Sequence, residues 1–223
     1  MIKVLQAIST ILFVLALPML LVTTDLRVAV NEISLYEYGF NKYEVSADTG
    51  LEKHELREVA RELIDYFNSD EEFVETSLFR QREIEHLKDV QSLIHLDYRL
   101  QLASFAYIVT YIVIGFVLLR RAFWRDLAQR LVWGSGVTIA LIAALGIGAL
   151  IGFDTVFRWF HLASFSNDLW QLSPDDYLIR LFPQEFFRDA TLFIAGAIIL
   201  EALVIGGVSW GLLRLKSRAG QQA

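Results

Sequence analysis

Apolar and polar positions in this chain are sorted into long blocks. Residues 4–24, 100–119 and 131–153 carry no charged side chain, and 190–213 carries only Glu201. A helix needs roughly 20 apolar residues to cross the hydrocarbon core of a bilayer, so each block predicts one membrane span. Between the first two spans lie 75 residues, 25–99. That is too long for a plain connector and predicts a small cap. Inside it, the stretch 51–67 places Leu56, Val59, Ala60, Leu63, Ile64 and Phe67 at helical spacing with charges between them. This is the pattern of an amphipathic helix lying on an apolar surface, and Asn68, Ser69 and Asp70 end it. From Ser77 to Leu119 the only helix breaker is Gly115, which predicts one long helix running from the cap into the second span. Residues 31–46, rich in Tyr and Glu with weak alternation, read as extended structure.

The expected fold is an all-α membrane protein with four transmembrane helices. In chain order these are helix 1 at 1–24, a cap at 25–99, helix 2 at 100–119, a loop at 120–130, helix 3 at 131–153, a second loop at 154–189, helix 4 at 190–213 and a tail at 214–223. Composition agrees: 55% of residues are hydrophobic, above the 45–50% or so of soluble domains. The first span follows Lys3 as a signal peptide would. It is longer than a signal core and lacks a small-residue cleavage site before Asp25, so it reads as a retained helix.

Charge then sets an orientation. The N-terminus, the 120–130 loop and the tail hold eight basic residues and one acid (Lys3, Arg120, Arg121, Arg125, Arg130, Arg214, Lys216 and Arg218 against Asp126). Residues 25–99 and 154–189 hold twelve basic and twenty-four acidic ones. By the positive-inside rule both termini are cytoplasmic. The loops between helices 1–2 and 3–4 then form an extracytoplasmic cap, which in a bacterium faces outward from the cell membrane. The net charge of −6 argues against nucleic acid as a partner. The absence of cysteine removes a disulfide framework, a thiol nucleophile and a Cys-based zinc site.

The second outer loop holds nine aromatics in 36 residues: Phe157, Trp159, Phe160, Phe165, Trp170, Tyr177, Phe182, Phe186 and Phe187. An interfacial belt accounts for some of them. The interleaved Asn167, Asp168, Asp175 and Asp176 point instead to an aromatic-lined pocket with a few polar groups. No hydrolase elbow, phosphate loop or metalloprotease motif is present, which leaves four histidines. His54, among Glu52, Lys53 and Glu55, reads as a solvated surface residue, and His95, close to the second span, as an interfacial side chain. His86 and His95 are nine residues apart and so face opposite ways at ~100° per residue. Asp89, one turn beyond His86, can orient that imidazole and raise its basicity. His161 sits inside the aromatic loop. Spacing leaves open whether His86 and His161 do acid–base work or bind a metal with Asp89 or Asp168 as co-ligand. Glu201 reads as a protonated carboxyl bonded to a hydroxyl such as Thr110 or Thr138.

The string His161-Leu-Ala-Ser-Phe165-Ser-Asn167-Asp168-Leu-Trp170, with Pro174, Asp175, Asp176, Leu178-Ile179, Phe182-Pro183 and Phe186-Phe187 after it, resembles the bacterial lipoprotein intramolecular transacylases (Lit). So does Glu83-Ile-Glu-His86-Leu-Lys-Asp89-Val90. The resemblance implies a membrane acyltransferase acting on lipoproteins whose N-terminal cysteine bears an S-diacylglyceryl group. The sn-2 acyl chain would pass to the cysteine's α-amine, giving the lyso form. It implies His86 and His161 as catalytic residues. Asp89, Asn167, Asp168 and Trp170 become candidates for orienting them or stabilising an oxyanion, and Phe160, Phe165, Phe182, Phe186 and Phe187 for lining the substrate pocket. The expected partners are the diacylated lipoprotein and the lipid bilayer, with no cofactor and no metal. The alternatives are a non-catalytic membrane protein that binds lipid or peptide through its cap, and a membrane metallohydrolase.

Transfer to the substrate's own amine closes a ring of about eight atoms, so orientation is a large part of the barrier. The amine is mostly protonated near neutral pH and needs a general base. No covalent enzyme intermediate is required, which suits a chain without cysteine.

Overall fold

A computed structural model describes residues 2–74 and 76–219, and every regular element among them is helical. The elements run α1 (Ile2–Asn31), α2 (Ile33–Lys42), α3 (Val45–Thr49), α4 (Lys53–Asn68), α5 (Gln81–Leu119), a 3-10 turn (Arg120–Ala122), α6 (Phe123–Ser164), α7 (Tyr177–Leu181) and α8 (Gln184–Ala219). Four of them contain segments long and apolar enough to cross a membrane, within Val4–Asn31, Gln81–Leu119, Phe123–Ser164 and Gln184–Leu215. Lipid offers backbone groups no partner, so an apolar run of this length satisfies them internally as a helix. The charge-free stretches 100–119 and 131–153 lie within α5 and α6. Residues 81–99 and 154–164 extend those helices with polar sequence. The side chains of Lys3, Arg121, Lys216 and Arg218, which enter the charge asymmetry, and tail residues 220–223 lie outside the described part.

The chain divides into two compact units. The first comprises residues 1–25, 99–146 and 194–223. Its helices meet through two apolar clusters, one of Leu17, Leu21, Ile142, Ile198 and Ala202, the other of Phe13, Ile108, Phe123 and Leu127. Small residues let them approach: a Cβ on Gly206 would press on Ser135 and one on Gly134 on Leu17, whereas Gly136, Gly207 and Gly211 face open space. Thr138 donates to the Gly134 carbonyl of its own helix at 2.9 Å. Apolar side chains such as Leu102, Val117 and Leu118 stay exposed, as helices covered by lipid require.

The second unit, residues 26–98 and 147–193, has a different core. Tyr36, Phe40, Leu56, Ala60, Leu63, Phe67, Leu87, Leu181, Phe182 and Phe186 are among its buried members. The amphipathic helix expected over 51–67 is α4. It opens with the Glu55 side chain accepting from the Glu52 amide at 2.7 Å and buries Leu56, Ala60, Leu63, Tyr66 and Phe67. Residues 31–46 are helical, not extended. The Glu32 side chain accepts from the Ser34 amide and starts α2, and Tyr36 and Phe40, four apart, bury on one face. That spacing has the helical period, which the Tyr/Glu alternation obscured. Gly39 lies against the Phe186 ring, where a Cβ would collide.

A stripe on α5 finishes the C-terminus of α4. The last carbonyls of a helix have no partner within it. Gln91 Nε2 donates to Tyr66 O at 2.8 Å, Ser69 O at 3.2 Å and Glu71 O at 3.1 Å. One turn on, His95 Nε2 bonds Phe67 O at 3.1 Å. Tyr98 closes a ring of hydrogen bonds with Asn31 and Asn68. His95 therefore acts as a capping group for α4. Replacing the buried Gln91 with leucine strands these carbonyls at a cost of about 1–3 kcal/mol. We expect the apparent melting temperature of the Gln91→Leu protein in detergent to fall by roughly 3–10 °C at this chain length, read by differential scanning fluorimetry.

Candidate active site

The site residues all belong to the second unit. On α5, Glu83, His86 and Asp89 recur every third position and share one face. On α6, the backbone leaves helical geometry at Gly152 (φ −160°, ψ 70°) and then resumes, so that Phe157, Phe160 and His161 fall at i, i+3 and i+4. Phe165 follows the helix end, its amide bonded to His161 O at 2.9 Å.

His86 and His161 are both buried, and their ring centroids lie 6.2 Å apart. Aromatic rings enclose them. His161 is 4.3 Å from Phe157, 4.9 Å from Trp170, 5.3 Å from Phe160 and 5.6 Å from Phe165. Phe165 also meets His86 edge-on at 5.2 Å. His161 Nδ1 donates to Phe157 O at 2.7 Å. That bond commits the proton of the neutral ring to Nδ1 and leaves the lone pair on Nε2. His86 Nδ1 is buried with no hydrogen-bond partner, a costly condition that a bound ligand can relieve.

Burial holds both imidazoles neutral. Desolvation pushes the His86 pKa down to about 4; the neighbouring His161 adds to the fall, and the Asp89 carboxylate opposes it. His161 is also lowered by desolvation, against which its bond to Phe157 O acts. A lowered histidine pKa means the base form prevails at neutral pH, so each ring has a lone pair without first losing a proton.

A buried carboxylate holds the site's two chain segments together. Glu83 has no solvent exposure. It accepts from the Arg80 amide at 2.8 Å, which caps the start of α5, and from the Leu178 amide at 2.7 Å, in the first turn of α7. Beside it the buried Asp176 accepts from Arg80 Nη1 at 2.6 Å and from the Ser173 amide at 2.7 Å. Two of these four bonds, Glu83 to the Leu178 amide and Arg80 to Asp176, lock the 176–178 segment to the helix that carries His86, and the other two order each side locally.

The remaining predicted residues are placed as follows. Asp89 is not hydrogen-bonded to His86; it accepts from Asn167 Nδ2 at 2.8 Å. Asn167 Oδ1 in turn takes the Leu169 amide, which shapes the turn. Asp168 accepts from Gln171 Nε2 at 2.9 Å, and its carbonyl takes Arg82 Nη2; neither contact reaches a histidine. Phe160 and Phe187 are exposed beside the pair, Phe187 through Phe157 at 5.4 Å. Phe182 and Phe186 are buried in the core against Tyr36 and Phe40. His54 is exposed and pairs with Glu52. Among the described residues, no three His, Asp or Glu side chains converge as a metal site needs. Sequence reasoning passed over Glu83, Arg80 and Phe157 as site residues. The four-residue step from Phe157 to His161 was visible, but Glu83's role needs a partner 95 positions away.

Comparison with known proteins identifies the family and the fold. The sequence profile of the family described as lipoprotein intramolecular transacylase Lit matches residues 11–187. An uncharacterised protein of Aquifex aeolicus is 26% identical over 213 residues, covering 88% of this chain and 94% of its own. The in meso structure of the membrane-integral transacylase Lit of Bacillus cereus superposes with a TM-score of 0.79 at 21% identity, covering 99% of this chain and 100% of that one. A variant of the Bacillus cereus protein with a histidine replaced by arginine gives a TM-score of 0.78 at 19% identity, over 97% of this chain and 96% of its own. Because the matched profile spans most of the sequence and the fold agrees throughout, this chain belongs to the lipoprotein intramolecular transacylase Lit family of membrane acyltransferases.

Proposed function

We propose that this chain moves the sn-2 acyl group of an S-diacylglyceryl cysteine to that cysteine's own α-amine, with His161 as general base and His86 as hydrogen-bond donor to the oxyanion. One observation carries this reading: two buried, neutral imidazoles 6.2 Å apart inside an aromatic enclosure. The pinned Nδ1–H of His161 supports the base role, since Nε2 is then the acceptor. Burial lowers the His86 pKa to about 4, and the neighbouring His161 adds to that fall. A neutral imidazole of that kind is suited to donating a hydrogen bond to a developing oxyanion.

The steps balance as follows. His161 Nε2 removes a proton from the α-ammonium, and the freed amine nitrogen attacks the sn-2 acyl carbon. His86 stabilises the tetrahedral oxyanion. As the bond from acyl carbon to glyceryl oxygen breaks, the proton held on His161 Nε2 passes to that oxygen; His161 then takes the nitrogen's second proton and releases it to solvent, leaving an amide and a free glyceryl hydroxyl. The enclosure folds the substrate into its cyclic transition state and excludes water, which would otherwise hydrolyse the ester. Trp170, Phe157 and Phe165 hold the rings, Phe160 and Phe187 offer exposed aromatic surface to the acyl chain, and Asn167 anchors Asp89. The turn containing Asp168 keeps Asn167 and Trp170 in place. The charge asymmetry supports cytoplasmic termini and a reaction at the outer face of the cell membrane. No cofactor enters the scheme.

Conversion of a diacylated lipoprotein to its lyso form, followed by mass spectrometry, tests the assignment. His161→Ala and His86→Ala should each lower the rate by roughly 10²–10⁴-fold. Unchanged conversion in both variants would sink the two-histidine scheme.

The pH dependence follows from the directions above. Because both histidines are lowered from 6.5, neither titrates between pH 7 and 9. The substrate α-amine, with a pKa of about 8, does. The reacting pair is a neutral histidine and an ammonium substrate, a state that prevails from about pH 7 to about pH 8, so the initial rate should hold level across that interval. A tenfold rise or fall in initial rate over it would contradict this scheme.

A further inference from the structure

Next to the histidine pair, and not used by the scheme above, lies an open cleft of about 230 Å³. It follows one face of α5, from Asp89 through Ser92 and Leu93 to Leu96, and is closed on its other side by Phe165 and Asn167. One end is anionic and the other apolar. Its volume is below the ~300–1,000 Å³ of sites that take a whole drug-sized ligand. It suits a small charged head with a short apolar stretch behind it.

Asp89 at the polar end lacks a cation. Its single hydrogen bond is to Asn167 Nδ2, through Oδ2. The basic residues in and just before the first turns of α5 are turned elsewhere: Lys88 pairs with Glu72 at 2.5 Å, Arg82 reaches the Asp168 carbonyl, and Arg80 pairs with Asp176. No ion pair to Asp89 forms among the described residues. A half-buried carboxylate held by one neutral amide, in an open cleft, is complementary to a primary ammonium. Phe165 is a wall of this cleft and also touches both imidazoles, at 5.2 and 5.6 Å. The cleft and the histidine pair therefore share the Phe165 ring.

We infer that Asp89, steadied by Asn167, binds the α-ammonium of the substrate's N-terminal cysteine, with the first apolar atoms of the lipid-bearing side chain along Leu93 and Leu96. This rests on the reaction proposed above and adds a specificity to it. The substrate enters as a cation and leaves as a neutral amide, so acyl transfer itself cancels the attraction to Asp89. The site then favours a free N-terminus, releases its product and rejects lipoproteins already acylated on nitrogen. The carboxylate that sequence spacing assigned to orienting His86 becomes a binding group.

The test compares a synthetic S-diacylglyceryl-cysteinyl peptide bearing a free α-amine with its N-acetyl counterpart. Binding to the full-length protein in detergent is measured in a His161→Ala background. The free amine should bind about tenfold tighter or more. Adding Asp89→Asn should bring its affinity down to that of the N-acetyl peptide, whose own binding, unchanged, reports an intact fold. Ser92→Phe, at an exposed position on the cleft, should weaken both peptides. Equal affinities in the parent, an amine preference that survives Asp89→Asn, or no effect of Ser92→Phe would overturn the inference. If Asp89→Asn abolishes binding of both peptides, Asn167→Ala takes its place; a narrowed preference supports the inference and an unaltered one overturns it. Conversion of the same free-amine peptide by the native protein is scored separately by mass spectrometry. A failure of the acyl-transfer reading therefore shows there, and a failure of the ammonium site shows in the binding ratio.

Discussion

A carboxylate with no access to water must find donors for its oxygens, and at Glu83 those donors come from two distant parts of the chain. One oxygen takes the amide that begins α5; the other takes an amide in the first turn of α7. Satisfying both requires the start of α5 and the 176–178 segment to meet in one geometry. Asp176 repeats the requirement with Arg80 and Ser173. Removing a partner from such a buried pair is far more costly than the bond is worth alone. His86 stands one turn beyond Glu83, and the locked segment follows Trp170 and the helix that carries His161. The separation of the two imidazoles depends on that lock.

Given the lock, burial sets the chemistry. Surrounding two imidazoles with Phe157, Phe160, Phe165 and Trp170 makes their charged forms expensive and keeps both as free bases. For most surface histidines that would be a cost without return. In the proposed reaction the nucleophile is an amine that arrives protonated, and a neutral ring ready to take its proton is what that scheme needs. The same rings would exclude water from the ester. Enclosure and base strength thus have one structural cause.

How far these features could be read in advance varied with their range. Four apolar blocks predict four helices because the lipid constraint acts on each segment separately. Helix α4 was equally plain, since its apolar stripe and its start signal are both local. Residues 31–46 were misread. Tyr36 and Phe40 carry a helical spacing that becomes evident only when Phe182 and Phe186 are seen to cover that face. The capping role of His95 was hidden because its partner, the Phe67 carbonyl, is 28 residues away. Phe182 and Phe186 were grouped with the pocket on the strength of aromatic density, yet they fill the core behind it.

The chain's own order of residues was enough to establish a four-helix membrane protein, to place two histidines in suggestive company and, by two motifs, to suggest the family. These conclusions rest on periodicity, composition and short-range pattern, which survive without knowledge of neighbours in space. Folding alone decided that His86 and His161 face each other, that Asn167 and not His86 engages Asp89, and that Glu83 joins the segments bearing them. Each depends on groups roughly 75 to 95 positions apart, and no local preference specifies a contact at that range. It is fixed by the matching of buried donors to acceptors and by the packing of rings once the chain has closed on itself.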